Sequence, residues 1–568
     1  MRRFFSRLSL PLLAKELTEK AARKRTYGMR VLFAVLLMAA FGITAKEYFA
    51  SSGVGSLSVL GRGHSIFRGL IVLQLVGIYL FLPAMASGQI TIEKERDSLA
   101  LLFLTRLGPW HILIEKFLSS LVPVFSLLLV AMPMEAIAYA YGGVTKANIV
   151  ISIYMLMLIA LQVAALALVC SAWCRTTAGA FLSTYLLGTF IYLFAPLSQS
   201  LFVLITHRSI PPAIRRLTEW AFYVFPPGLG TFGYSEMGMS EVLKSTSPAW
   251  GSLVVLLGLA RFFLVRRAFV KGTNPVLAFF RMTDRLMQWL NRFAGNISMG
   301  KERDDLPGNY PVAWREMRKN VFARPQYLMR ILLMVEVPTI VFGYLIPHHI
   351  RTENLSLSSA LLGTLAVLII SVNAANAFVS ERVQQTLDLL LTTPMSARQI
   401  VEEKARAMRR FLYVAAAPLM TLFLIEWNMK SSIFRGAWPL GSGSALYLIC
   451  SILTLAIYLP LVSWLSLWIG LKETTRFRAI ITALVVIVLW CAGPIVAALV
   501  IDSNRLEPWI MGMSPIFLPV LNEVSEIPRL SQGHPWLLVT LNFTFYGAML
   551  ALIRWRCLNL ADYYLRRT

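Results

Sequence analysis

The sequence predicts an all-α integral membrane protein, with about twelve transmembrane helices arranged as two tandem parallel six-helix repeats. Three observations carry this expectation. The 568 residues are 57% hydrophobic and only 15% charged, with a mean hydropathy of +0.64, whereas soluble domains are about half apolar and about a quarter charged. The apolar residues gather in blocks of about 20, enough to cross a ~30 Å hydrocarbon core. Two stretches of the first half also align with the second half without gaps.

The blocks of the first half cover 29–45, 69–90, 117–141, 147–173, 178–205 and 249–265. Those of the second cover 329–347, 357–379, 411–427, 444–470, 479–501 and 535–553. The block at 29–45 is short for a span. That at 178–205 is long enough to bend or split, and Pro196 marks a place for it.

The net charge of +25 would point to nucleic acid in a soluble protein. With the N-terminus inside, alternate loops and tails on that side hold 40 of the 54 Lys and Arg, the opposite loops hold 13, and Arg261 falls within the sixth block. This is the positive-inside bias. It predicts a multi-pass protein of the cell's inner (cytoplasmic) membrane with both termini cytoplasmic. Membrane lipids suffice as partners for the basic surface. No nucleic-acid partner is expected, because the basic loops lack interleaved aromatics for stacking bases. The basic start leads into an amphipathic segment with no small-residue cleavage site, so no cleavable signal is expected. The five cysteines form no disulfide framework; Cys170 and Cys174 lie one turn apart without a nearby His or carboxylate, and read as packing residues.

The internal alignment sets the domain boundaries. Residues 11–30 lie over 311–330, matching Pro11, Glu16, Tyr27, Met29 and Arg30 to Pro311, Glu316, Tyr327, Met329 and Arg330, with Lys15 opposite Arg315. Residues 93–116 lie over 381–404. Glu93, Leu99, Leu102, Thr105, Glu115 and Lys116 there meet Glu381, Leu387, Leu390, Thr393, Glu403 and Lys404. The expected organisation is a first six-span unit over 1–270 with an N-terminal helix, a cytoplasmic linker over 271–308, and a second six-span unit over 309–568. Six is even, so each unit returns to the same side. In the linker, Asn274-Pro275 starts an amphipathic basic helix that Gly295 ends, suited to the membrane interface.

The stretch 378–404, FVSERVQQTLDLLLTTPMSARQIVEEK, follows the second span of its unit. Leu387, Leu390 and Leu391 form a narrow apolar stripe. Thr393-Pro394 stops the helix, since proline disfavours helix at the preceding residue. Ser396 caps a second helix that runs through Gln399 and Glu403 into the third span. The expectation is a short helix, a break and a re-entering helix, able to carry a push from outside the membrane into the spans.

This pattern closely resembles the permease subunits of type 2 ABC transporters. In that family the region between the second and third spans carries a coupling helix that docks on an ATPase subunit. The Pro…Lys/Arg-Glu segment at the head of each unit resembles the family's elbow helix. The resemblance implies two fused permease units, with elbow residues Lys15, Glu16, Arg315 and Glu316. Coupling residues would be Glu93, Arg96, Leu99 and Leu102 in the first unit, and Glu381, Arg382, Leu387, Leu390, Thr393 and Pro394 in the second. It implies a transport subunit rather than an enzyme, working with about two copies of a cytoplasmic ABC ATPase. This chain would bind no cofactor; ATP and Mg would sit on the ATPase. The first unit departs from the pattern, since residues 104–109 read LTRLGP where the second has a Thr-Thr-Pro stop.

The stretch 295–302, GNISMGKE, imitates a phosphate-binding loop, but Glu302 replaces the Mg-binding hydroxyl and no strand precedes it. The adjacent His348 and His349 fall in an external loop and read as solvated. Ionisable groups within spans suggest function. Glu135 and Glu336 are the candidates, with Arg261 as a partner or a snorkelling side chain. Asn373 and Asn376, one turn apart, are expected to hydrogen-bond between helices. Proline pairs at Pro211-Pro212 and Pro226-Pro227, and Ser514-Pro515, would shape external loops near an outer gate. Two other readings stay open: an ion-coupled secondary transporter, or a membrane scaffold or sensor that transports nothing. The sequence names no substrate.

Overall fold

Hydrocarbon offers no hydrogen-bonding water, so a spanning segment must satisfy its backbone internally, as a helix does. The computed structural model describes residues 11–22, 24–50, 63–96, 98–105, 107–206, 239–267, 308–319, 332–340, 353–433, 442–501, 507–524 and 535–566, with a few positions between them. Among these residues there is no strand. Nine of the described helices are long and apolar enough to cross a membrane, which makes this a multi-pass membrane protein.

These nine coincide with nine of the twelve expected blocks. Of the rest, the block at 29–45 contains a shorter apolar helical stretch, Arg30–Gly42, and that at 178–205 contains Thr177–Ile191. The helix Thr177–Thr206 runs unbroken through Pro196 and is not split. About half of the block at 329–347 lies outside the described residues, and 332–340 is helical. Residues 271–307, with the expected linker helix and the loop at 295–302, lie outside them too, as do the histidine pair and Pro226-Pro227.

The chain divides into two compact units, Met1–Gln199 with Arg208–Pro275, and Ser200–His207 with Val276–Thr568. The first contains α1 (Pro11–Ala22), α2 (Lys24–Ala50), α3 (Gly63–Glu95), α4 (Leu99–Phe103), α5 (Pro109–Ala140), α6 (Lys146–Trp173), α7 (Thr177–Thr206) as far as Gln199, α8 (Met239–Ser245) and α9 (Ser247–Arg267). Its centre is α6, packed on α3, α5 and α9. Apolar burial gives no drive between helices in lipid, so close packing must hold them. Small side chains allow it: Ala160, Ala164, Ala165, Ala167 and Ala172 of α6 are all buried.

The second unit contains α10 (Pro311–Lys319), α11 (Glu353–Val383), α12 (Leu387–Leu391), α13 (Ala397–Ile433), α14 (Ser442–Lys472), α15 (Arg476–Ile501), α16 (Glu507–Gly512), α17 (Phe517–Val524), α18 (Pro535–Asn559) and α19 (Ala561–Arg566). Here α14 is central, against α11, α13 and α18. Gly470 lets α14 approach α11 so closely that a Cβ would lie 2.3 Å from the Ala375 carbonyl oxygen. The short helices α16 and α17 are tied inward: Ser514 donates to the Cys491 carbonyl (2.8 Å), Asn542 to that of Gly512 (2.7 Å) and Tyr546 to that of Met513 (2.5 Å).

Candidate functional site

The helices α3, α5 and α13 have 33, 32 and 37 residues. At 1.5 Å per residue they are about 48–55 Å long, well beyond a ~30 Å core. The C-terminal end of α3 and the N-terminal ends of α5 and α13 therefore stand outside the hydrocarbon, and each unit gathers its charged side chains there.

In the first unit the gathering point is Lys116 on α5, which is buried. Its Nζ lies 2.8 Å from Glu16 Oε1 on α1 and 3.3 Å from Glu93 Oε1 at the end of α3. Glu93 also accepts from the hydroxyl of Ser98, the residue that opens α4. Ser119, one turn beyond Lys116, donates to Glu16. Beside Lys116, Glu115 Oε2 accepts the Leu13 backbone N–H at 2.9 Å. The helix α1 begins on Pro11, which has no N–H to lose, and the carboxylate satisfies one of the remaining orphan donors.

The second unit repeats the arrangement at the aligned positions. Buried Lys404 on α13 lies 3.3 Å from Glu316 on α10 and 3.6 Å from Glu381 on α11. It also donates to the Ala377 carbonyl (2.7 Å) and sits 4.9 Å from the Phe378 ring centroid. Glu381 accepts from the hydroxyl of Thr386, which precedes α12, and lies 3.8 Å from Arg315. Glu403 Oε2 accepts the backbone N–H groups of Val312 (2.8 Å) and Ala313 (3.2 Å), capping α10. Lys15, aligned with Arg315, is exposed.

A second tie fixes the end of the same helices. Arg382 donates to the carbonyls of Leu471 (2.7 Å) and Glu473 (2.8 Å) at the end of α14, and to that of Tyr564 (2.9 Å) on α19. In the first unit Lys94 does this, donating to the carbonyls of Ser171, Ala172 and Cys174 at the end of α6. Cations suit the electron-rich C-terminus of a helix. Arg96, expected among the coupling residues, is exposed, just beyond the end of α3.

The short helices hang from these ties. Leu99 (4% exposed), Leu387 (2%) and Leu390 (6%) turn into their own units. Leu102 and Leu391 are half-buried. The side chains that face outward are Leu101 (64% exposed), Leu104 (82%) and Leu389 (69%). Thr393 and Pro394 are exposed in the break after α12. Ser396 and Gln399 then form a reciprocal cap on α13, Ser396 N–H to Gln399 Oε1 (3.0 Å) and Gln399 N–H to Ser396 Oγ (3.3 Å). The first unit starts α5 with extended Gly108 and Pro109 instead, with no side-chain cap. Between α11 and α12, Gln385 adopts φ 55°, the left-handed region that a non-glycine residue enters at a cost.

Several intramembrane expectations need correction. Glu135 does not pair with Arg261: it is buried and accepts from Gln74 (2.7 Å). Arg261 lies 5.1 Å over the Trp110 ring, at the opposite end of α5, roughly 37 Å from Glu135 along that helix. Asn373 and Asn376 do not bridge helices through their amide groups; each donates back to its own helix, to Ile369 (2.8 Å) and Val372 (3.0 Å). Glu336 is half-buried, and its Oε2 has no hydrogen-bond partner among the described residues.

Composition and periodicity missed the ties that Lys94, Lys116, Lys404, Glu115 and Glu403 make between helices. The internal alignment paired all of them, and that pairing was the available signal. Glu426 was missed as well. It is buried near the far end of α13 and accepts from Tyr447 at 2.7 Å. Among the described residues no three His, Cys, Asp or Glu are grouped to hold a metal. Each cluster ties the helix that heads its unit, the end of one span, a short helix and the start of the next span to one buried ammonium. No family model matches the chain, and no curated protein matches it.

Proposed function

We propose that the chain is the membrane-spanning permease component of an ATP-driven, ABC-type exporter, built from two tandem parallel six-helix units and lying in the inner membrane with both termini cytoplasmic. Separate cytoplasmic ATPase subunits, two per chain, supply the energy; ATP and Mg stay with them. One observation supports this reading above the others. In each unit a short helix outside the membrane is anchored from beneath by a buried Lys–carboxylate cluster, yet turns Leu101 and Leu104, or Leu389, outward. Exposed leucines on a rigidly tied helix suit a protein partner better than water.

In this mechanism the ATPase subunits bear on α4 and α12. Displacement passes through Ser98–Glu93 and Thr386–Glu381 to Lys116 and Lys404. From there it reaches the elbow helices α1 and α10 and the spans that follow. Glu16 and Glu316 make the elbow helix move with the span, and Arg382 and Lys94 add the end of the fourth span.

The test is purification from native membranes in mild detergent, with identification of what accompanies the chain. The expected companion is a P-loop ATPase near two copies per chain, lost from the Leu101→Asp, Leu389→Asp double variant while the protein itself stays folded. Undiminished association in that variant, or no ATPase even after cross-linking through Leu389→Cys, would refute the reading. The buried Glu135–Gln74 and Glu426–Tyr447 pairs favour a second reading, ion-coupled transport. Transport would then fail with the proton gradient and in Glu135→Gln, and not with ATP depletion.

A further inference from the structure

The second unit carries an open groove of about 1000 Å³ between α13, α14 and α18, at the upper end of the ~300–1,000 Å³ typical of ligand sites. Its chemistry is graded along its length. Arg409 on α13 and Arg554 on α18 line its basic part, with Tyr413, Trp464 and Trp555 beside them, and Arg398 stands further out, about 16 Å from Arg409 along α13. All three arginines are exposed, and Arg554 lies 5.8 Å from the Trp464 ring centroid. Beyond them the walls become apolar, with Ala416 and Met420 facing Ile452 and Leu455. None of the lining residues is acidic.

The dimensions match one leaflet. From Arg409 to Met420 is eleven residues of helix, about 16 Å at 1.5 Å per residue, and half of a ~30 Å core is about 15 Å. The basic end is the end nearest α12, where α13 leaves the membrane. Tyr and Trp at that depth are the residues that settle at headgroup level, and basic pockets between spans take anionic headgroups.

We propose that this groove binds one anionic phospholipid. Its phosphate lies at Arg409 and Arg554, with Arg398 further out where the groove opens, and its acyl chains run past Ala416 towards Met420. The proposal needs only that these helices span the membrane; it does not rest on ATP-driven transport.

The full-length protein, delipidated in detergent, is titrated with phosphatidylglycerol or phosphatidylcholine and followed by native mass spectrometry. Phosphatidylglycerol should bind at least about tenfold more tightly, given the attraction each basic side chain exerts on an anionic lipid. The triple variant Arg398→Gln, Arg409→Gln, Arg554→Gln should lose that preference, while Arg266→Gln, Arg556→Gln retains it. The variant Ala416→Trp, Ala551→Trp keeps every arginine but fills the groove, and should lose the lipid. Retained preference in the triple variant, or undiminished binding in the filled one, would overturn the proposal. So would displacement by excess inorganic phosphate, which would assign the arginines to a free anion. A photoactivatable benzoylphenylalanine at Tyr413, introduced into otherwise unaltered protein in membranes, should yield a phospholipid adduct. An adduct to a protein segment would put another occupant in the groove and overturn the proposal even if the triple variant failed to fold.

Discussion

Replacing Lys404 with methionine keeps most of the side chain's volume and removes its charge and its N–H donors, including the bond to the Ala377 carbonyl. The ammonium lies 3.3 Å from Glu316 and 3.6 Å from Glu381, and at an effective dielectric of ~20 each contact amounts to about 5 kcal/mol of gross attraction. Desolvation offsets much of this, and deleting one member of a buried pair typically costs about 3–5 kcal/mol because the other charge is left behind. Arg315, 43% exposed and 3.8 Å from Glu381, supplies partial relief, so Lys404→Met should cost about 3 kcal/mol, the low end. Lys116→Met should cost less, about 1–2 kcal/mol, because Glu93 is 28% exposed and open to water where its counterpart Glu381 is 0% exposed, while Glu16 and Glu316 are alike at 16% and 17%. The assay is equilibrium unfolding in mixed micelles followed by far-ultraviolet circular dichroism. Adding Glu381→Gln to Lys404→Met should recover roughly 1–2 kcal/mol, since neighbours in one network do not act additively. A Lys404→Met protein as stable as the unaltered chain, or strictly additive double-variant losses, would refute the reasoning.

The same unfolding assay checks two backbone predictions. Gly470→Ala should cost about 1–3 kcal/mol by overpacking, because its Cβ would meet backbone rather than a movable side chain at Ala375. Gln385→Val places a β-branched residue at φ 55° and should cost roughly 1–2 kcal/mol. Cys174 is buried at the end of α6, and burial pushes its thiol above the ordinary range, against the opposing pull of Ser183 and Lys94. A raised thiol pKa means less thiolate at any given pH, so maleimide should label Cys174 slowly at pH 8 and readily only once the protein is unfolded; equal rates in both states would contradict this burial.

Much of the architecture is legible in the sequence because lipid leaves few alternatives. A run of about 20 apolar residues must be helical, and nine of the expected blocks are spanning-length helices. The punctuation around α12 is legible for the same reason: Pro394 stops the helix and Ser396 with Gln399 caps the next one through local chemistry alone. Partners across the chain are not local, and there the expectations weaken. Arg96 is the conspicuous basic residue after Glu93, yet Lys94, two positions earlier, is the one that reaches the end of α6. Only the register with Arg382 distinguishes them. Asn373 and Asn376 look like interhelical bridges by spacing, but an amide in a helix can also turn back on its own carbonyls, and both do. Glu135 and Arg261 have opposite charges and both lie within spans; their depth along the helices, which pairing by charge ignores, keeps them apart.

The two clusters are built alike but are not equally stiff. Around Lys404 the Glu381 side chain is fully buried and Arg315 adds a further cation, while around Lys116 the Glu93 side chain is 28% exposed and the first unit's short helix leads into Gly108-Pro109 without a side-chain cap. Water competes for the first cluster and is largely excluded from the second. An equal load on α4 and α12 would therefore be dissipated more in the first unit and transmitted more completely in the second. On the exporter reading, the second short helix becomes the main drive. The first, with Leu101 and Leu104 exposed, keeps an apolar surface for a partner but is coupled more loosely to the spans above it.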